Sequence, residues 1–449
     1  MAEAVKNKGW TVTWAAVGIN LALGILYAWS VFKAAIEASI KAGGEGAFTW
    51  NPSNLNDPYS LCCLVFAFSM ILAGKCQDKF GPRITAFIGG LLVGAGLIWI
   101  SQTTSYWAWV LGFGLLAGAG MGFGYSAATP PGLKWFPSSK TGLIAGLIVS
   151  GFGLAPVYIA PLSGYLIKTY GVNQAMLVYG IAFIVVVCGL ALFLVNPPAG
   201  YVPVETDATK SAKKGYSPDV PWNEILKTMA FWKMWVIYFV GAGAGLMVIS
   251  SVAGIAKHSM GEMAFVAVAI MAVGNAGGRI ITGVLSDKFG RNQTILAVHL
   301  FQAALMLACI PLVGGESHSG AAVIVLLATF IGFNYGANLS LFPSIAKDLW
   351  GFKGYGVNYG ILFTAWGVGG FVLSRVSQMM TALTGSMNSS FIVAAILLTL
   401  SSMITVTLIT AKAPKKDEAP EGAYYQPGLG LTMADGGEPV KEDGDSHSA

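Results

Sequence analysis

A charged turn occurs twice in this chain, each copy wedged between long apolar runs. Gln77-Asp78-Lys79-Phe80-Gly81-Pro82-Arg83 returns as Ser286-Asp287-Lys288-Phe289-Gly290-Arg291-Asn292, with 209 residues between Asp78 and Asp287. A second echo, Gly122-Phe123-Gly124-Tyr125 and Gly332-Phe333-Asn334-Tyr335, lies at an offset of 210. Two echoes at nearly one offset mean that the halves of the chain are copies of one unit. Such a chain must fold as two similar bodies whose ends the paired turns mark.

The runs around those turns say what solvent the unit is built for. Apolar residues make up 55% of the 449 residues and charged ones 10%, where a soluble domain carries about 25% charged. Twelve apolar stretches, at 10–36, 58–75, 84–104, 106–129, 141–167, 175–195, 230–256, 264–285, 294–313, 321–345, 357–380 and 389–411, approach or exceed the ~20 residues a helix needs to cross a bilayer. The expected fold is an all-α membrane protein of twelve transmembrane helices in two pseudo-symmetric six-helix bundles. The bundles would be 1–195 and 230–411, joined by a polar linker at 196–229 that is rich in Lys and Pro, with a disordered tail at 412–449. Glycines within the spans read first as surfaces for close helix approach.

The net charge of +5 is spread over short loops and is no nucleic-acid footprint. With the N-terminus inside, inner segments hold eighteen Lys and Arg, among them Lys75, Lys79, Arg83, Lys288, Arg291 and Lys347, against Lys41, Lys168 and Lys257 outside. Both termini are therefore expected on the cytoplasmic side. Cys62, Cys63, Cys76, Cys188 and Cys309 lie in or beside apolar runs without metal-ligand spacing, so neither a metal site nor a disulfide framework is expected. No cofactor site, buried carboxylate pair or nucleophile–base motif is legible, so an enzyme is not expected.

Two six-helix repeats, a central inner linker and the paired Asp-Lys-Phe-Gly turns resemble the major facilitator superfamily over roughly residues 10–411. Gly74, Asp78, Lys79, Gly81 and Arg83 match that family's loop motif between spans 2 and 3. Gly283, Asp287, Lys288, Gly290 and Arg291 form the copy between spans 8 and 9. The resemblance implies that Asp78, Arg83, Asp287 and Arg291 brace the inner helix ends in one conformation and release them in the other.

Ionisable groups at membrane depth are expensive and so mark function. Arg279, in Asn275-Ala276-Gly277-Gly278-Arg279 of span 8, has no acidic residue near it in sequence or at its depth. An arginine cannot shed its proton. Arg279 is thus expected to pair, bidentate, with the carboxylate of an anionic substrate; snorkelling to the inner interface or capping backbone carbonyls is its other reading. Lys33 and Arg375, near the outer span ends, read as snorkelling residues or as an outer funnel for anions. His299, within span 9, is the candidate for proton coupling; packing is its other reading.

Span 1 (Gly24 to Phe32), the loop Trp135 to Gly146, Leu341-Phe342-Pro343 and Val357-Asn358-Tyr359-Gly360 resemble the oxalate/formate antiporter group and the monocarboxylate transporters. That resemblance implies a carboxylate-binding Arg279 with pocket residues Tyr27, Tyr125 and Tyr335. A second buried cation of the oxalate exchanger falls on Trp366, and its pocket glutamine and a pocket tyrosine fall on Leu26 and Leu339. One cation and a more apolar wall fit one carboxylate, whereas a dianion would keep an unpaired charge in low dielectric. Leu26 and Trp366 would shape the apolar side; Asn275 and Asn338 are candidate polar partners. The proton-coupled members of the group carry an acid where Asn275 stands and a lysine where Val31 stands. The expectation is a monomeric carrier of a small monocarboxylate such as L-lactate or pyruvate in a bacterial inner membrane, working by proton symport and alternating access. An oxalate/formate-type exchanger and a non-transporting nutrient sensor are the rivals.

Overall fold

The computed structural model describes residues 7–137, 140–198, 201, 220–313, 320–351, 354–409, 423–426 and 430–433. Most of the linker and tail lies outside these residues. Within the tail, Ala423–Gln426 pairs antiparallel with Gly430–Met433.

Among the described residues, ten helices are long and apolar enough to cross a membrane. Two of them, Asp57–Ile100 and Thr141–Ala191, each contain one non-helical glycine, Gly81 (φ 83°, ψ 172°) and Gly171 (φ 84°, ψ 168°). Each of these is therefore two spans joined by a single-residue reversal, and twelve spans result. Such φ/ψ values are essentially closed to residues with a Cβ. Gly290, which ends the helix Ala264–Phe289, adopts φ 93° and ψ 149°. Gly81 and Gly290 are the glycines of the repeated turn, so the sequence echo is also an echo of backbone conformation.

Span 1 is Gly9–Ala42; spans 2 and 3 are the limbs of Asp57–Ile100, span 4 is Tyr106–Lys134, and spans 5 and 6 are the limbs of Thr141–Ala191. Span 7 is Met229–Lys257, span 8 Ala264–Phe289, span 9 Arg291–Val313, span 10 Ala321–Trp350, span 11 Tyr355–Thr384 and span 12 Asn388–Ile409. Leu341-Phe342-Pro343 lies inside the helix of span 10.

Three local departures from a plain bundle position the site. Span 1 is not one α-helix: Gly24–Ala28 is a 3-10 segment, the form that often marks a functional break within a longer helix. Its Gly24 lies against span 5, where a Cβ would strike the Phe152 carbonyl oxygen. Spans 8 and 10 touch backbone to backbone, so that a Cβ on Gly278 would run into the Phe333 carbonyl and one on Gly336 into the Asn275 carbonyl. The halves meet at the face of the repeated turns, through Gly74 against Gly356 (spans 2 and 11) and Gly146 against the Arg279 backbone (spans 5 and 8). Large apolar side chains such as Leu72, Val185, Leu326 and Met403 stay exposed, as a lipid-facing surface requires.

Candidate functional site

Arg279 has no exposed surface. Its Nε donates to Asn275 Oδ1 at 3.0 Å, one helical turn earlier on span 8. One terminal nitrogen donates to the Val149 carbonyl of span 5. The other donates to the Tyr27 hydroxyl of span 1 at 3.3 Å, and the guanidinium lies 5.8 Å from the centre of the Tyr27 ring. Gly153 of span 5 leaves room for this head group, since a Cβ there would sit 3.1 Å from Arg279 Nε. Every one of these partners is neutral. Among the described residues no acidic side chain pairs with Arg279, and the group does not reach the surface.

The hydrogen bonds continue beyond Tyr27. Its hydroxyl lies 2.5 Å from that of Tyr335 on span 10, and Trp366 Nε1 on span 11 donates to Tyr335 at 2.8 Å. One of the two tyrosine hydrogens bridges the oxygens. The other has no acceptor among the described residues, because Tyr27 otherwise accepts from Arg279 and Tyr335 from Trp366. A guanidinium, an indole N–H and a spare hydroxyl hydrogen thus converge where no carboxylate is present. Such a donor-rich, buried group is suited to an anion with further oxygen atoms.

Aromatic rings close the site. Phe152 stands edge-on to Tyr27 at 4.9 Å and to Tyr125 at 5.5 Å; Phe66 lies 5.1 Å from Trp366 and 5.4 Å from Tyr125; Phe363 stacks on Trp366 at 4.8 Å. The Tyr125 hydroxyl is buried without a hydrogen-bond partner, a costly state for a polar atom that no bond compensates. Leu26 is fully buried beside Tyr27 in the 3-10 segment.

The structure therefore brings Arg279, Asn275, Tyr27, Tyr335 and Trp366 into one network and places Tyr125 on its aromatic wall. Trp366 does more than shape an apolar side, because it holds Tyr335 by its N–H. His299 and Asn338 belong to a different cluster. His299 Nε2 meets Asn338 Oδ1 at 2.9 Å and its Nδ1 meets Ser401 Oγ at 2.9 Å. Asn338 Nδ2 donates to the Asn334 carbonyl, which turns its oxygen toward the ring. His299 Nε2 therefore carries a hydrogen and Nδ1 accepts from Ser401. None of these groups bonds Arg279. Val149, Phe66, Phe152, Gly153 and Phe363 were not foreseeable as site residues: an apolar side chain in an apolar span carries no mark, and the contribution of Val149 is a backbone oxygen.

At the repeated turns the two copies differ. Arg291 pairs with Asp287 at 2.7 Å and with Asp348 at 3.0 Å. The Asp287 carboxylate also lies at the start of span 5, where a Cβ on Gly142 would come within 2.6 Å of it, a favourable place for a negative charge at a helix N-terminus. Asp78 and Arg83 form no ion pair with each other. At the opposite face, Arg375 pairs with Asp57 of span 2 rather than reaching to the interface alone.

Twelve spans with the buried Arg279 held between spans 1, 5 and 8 are the architecture of a membrane carrier. The chain matches the description Major Facilitator Superfamily over residues 9–374, and it belongs to that family; it is a transporter, not an enzyme. It is 28% identical to the oxalate:formate antiporter of Oxalobacter formigenes over 76% of this chain and 77% of that one. It is 23% identical to apicoplast pyruvate carrier 1 of Toxoplasma gondii over 80% of this chain and 81% of the other. The fold is also that of the major facilitator transporter FucP in its outward conformation, with a TM-score of 0.57 at 16% identity, covering 86% of this chain and 97% of that chain.

Proposed function

We propose that this transporter carries a small monocarboxylate such as L-lactate or pyruvate, one molecule at a time, with Arg279 as the anchor. The observation that carries the reading is the state of the guanidinium fork. Its two terminal nitrogens are engaged by two neutral oxygens, from Val149 and Tyr27, where a carboxylate presents two charged ones in matching geometry. A carboxylate would displace these weaker acceptors, and the Tyr335 hydroxyl and Trp366 would meet a 2-oxo or 2-hydroxy oxygen. Relatives named for formate, oxalate and pyruvate support this substrate class. A single guanidinium beside aromatic rings favours a monoanion over a dianion.

Val149 and Tyr27 belong to the N-terminal half and Arg279 to the C-terminal half. The bonds from Arg279 to Val149 and Tyr27 therefore also hold the halves together. A substrate that takes over the fork loosens them, which links binding to the rocking of one bundle against the other. Asp287, Arg291 and Asp348 brace the inner face, and Asp78 and Arg83 are their counterparts in the first repeat. On this reading the face of the repeated turns and both termini are cytoplasmic, in a bacterial inner membrane, and the carrier acts as a monomer.

Proton symport is the coupling we favour over exchange, since a pocket with one cation and an apolar wall resembles the monocarboxylate carriers more than the oxalate exchanger. Both nitrogens of His299 are committed to neutral partners outside the Arg279 network, so the proton is read as travelling with the acid. His299→Gln is expected to keep pH-gradient-driven lactate uptake in proteoliposomes within about threefold of wild type, as expected of a packing residue. Loss of the gradient response with retained counterflow would return the proton to His299. Uptake only against internal substrate, with none driven by a pH gradient, would replace symport by exchange.

Asp287→Asn removes the charge that closes the inner network and the start of span 5. We expect Ile144→Cys, at a buried position near the start of span 5, to label faster from the cytoplasmic side in that variant than in an otherwise identical Asp287 protein. Equal labelling would remove the brace assignment.

A further inference from the structure

Span 4 carries two consecutive prolines near its inner end, Pro130 and Pro131. A proline has no N–H, so the Ser126 carbonyl, four residues before Pro130, loses its usual helical donor. Tyr125 and Thr129 stand beside this gap, four residues apart and hence on one face of the helix. Both hydroxyls are buried without a hydrogen-bond partner; Tyr125 is 3% exposed and Thr129 7%. Thr129 does not bond back to its own helix, as Thr405 does to the Ser401 carbonyl.

Tyr359 of span 11, on the other side of the seam between the halves, brings a third buried hydroxyl without a partner. It approaches the hydroxyls of Tyr125 and of Tyr238 on span 7, yet none of the three completes a hydrogen bond. Tyr125, Ser126, Thr129 and Tyr359 line one small cavity together with Val149 and Gly356. The cavity leaves about 10 Å³ for the centre of a water molecule, close to what a single water requires. Val149 marks its end toward the site, because the Val149 carbonyl accepts from Arg279. Gly356 marks its end toward the repeated turns, because it packs on Gly74.

We propose that this cavity is a binding site for one water molecule, which ties Tyr125 and Thr129 of the N-terminal half to Tyr359 of the C-terminal half and so bolts the inner face below Arg279. Water suits the place because it has two hydrogens and two lone pairs. It can accept from two of the three hydroxyls and donate to the third and to the Ser126 carbonyl, which satisfies groups that are costly to leave alone. A neutral bridge of this kind holds the halves without a charge to desolvate, unlike the ion pairs of Arg291 at the repeated turn. The inference concerns the inner seal and not the cargo, and stands whichever anion is carried.

The test uses the purified full chain in carboxylate-free buffer, with Thr129→Val, Tyr359→Phe and the double variant, all close in shape to the wild type. The sign of the effect is diagnostic. Removing a buried hydroxyl that has no partner is neutral or stabilising, whereas removing one that holds a bridging water strands the others. Each single variant is expected to lower the melting temperature by about 2 °C. The double variant should melt about as the singles do, because either change alone breaks the shared bridge. Ile144→Cys should label from the cytoplasmic side about threefold to tenfold faster in the Tyr359→Phe background, as loss of one hydrogen bond across a two-state gate gives. Melting temperatures that are unchanged or raised in the single variants overturn the water site. Additive losses in the double variant also overturn it, since separate partners would then serve Thr129 and Tyr359. Non-additive losses with unchanged labelling overturn the bolt.

Discussion

Arg279→Gln is expected to abolish carboxylate transport while leaving a folded carrier. The wild-type fork would give a carboxylate two charge-assisted hydrogen bonds, each worth about 1.5–3 kcal/mol. Their loss, taken as about 4 kcal/mol, corresponds to roughly a thousandfold in affinity. Glutamine can still donate to one of the neutral oxygens that Arg279 now serves, so Asn275, Val149 and Tyr27 are not all stranded. Arg279→Lys keeps the charge but has no planar fork, and should fall between the two, about tenfold to a hundredfold weaker than wild type. The readouts are lactate uptake in proteoliposomes and the rise in melting temperature that ligand gives to purified protein. Wild-type uptake in Arg279→Gln, with its melting temperature still raised by lactate, would remove the anchor and with it the case for a carboxylate cargo.

The second large effect is structural. Gly278 lies one residue before Arg279, at the point where span 8 meets the Phe333 carbonyl of span 10, and no Cβ fits there without moving one helix. Gly278→Val introduces three carbons into a backbone-to-backbone contact. The expected cost is about 3 kcal/mol or more, seen as a clear drop in melting temperature and a loss of transport. Gly277, its neighbour, has open space around its would-be Cβ, so Gly277→Ala is the control and should change little, within about 0.5 kcal/mol. If both variants melt like wild type, the helices tolerate separation and the packing of spans 8 and 10 does not position Arg279.

Much of this architecture could be read from the chain. Hydropathy is a local property, so a run of apolar residues announces a span whatever surrounds it. The repeated Asp-Lys-Phe-Gly turn announced both the duplication and the hairpins, and its glycines do adopt a conformation that other residues avoid. Gly171 gave no such warning, because it lies in no repeat, and span 1 gave no sign of its 3-10 break. Arg279 stood out because a permanent charge in an apolar span has few explanations. Its neighbours on the same helix were also legible: Asn275, four residues earlier, could face nothing else. Tyr27 and Tyr335 came from family resemblance, and their hydroxyls do meet. Asn338 came from its helix and its polarity, and it bonds His299 instead. A stripe of polar atoms on span 10 can turn toward span 9 or toward the centre, and sequence alone does not say which.

The chain by itself determined the twelve spans, the glycines of the repeated turn, Gly81 and Gly290, and the presence of a cation, Arg279, at membrane depth. Those follow from composition and spacing within single helices, where each residue's solvent is set by its neighbours in sequence. Only the tertiary structure decided what the cation touches, because the Val149 carbonyl is 130 residues away from it and the two tyrosine hydroxyls are 308 residues apart. A hydrogen bond needs its atoms within about 3 Å and in line, and such a coincidence is fixed by how whole helices pack rather than by any pattern along the chain.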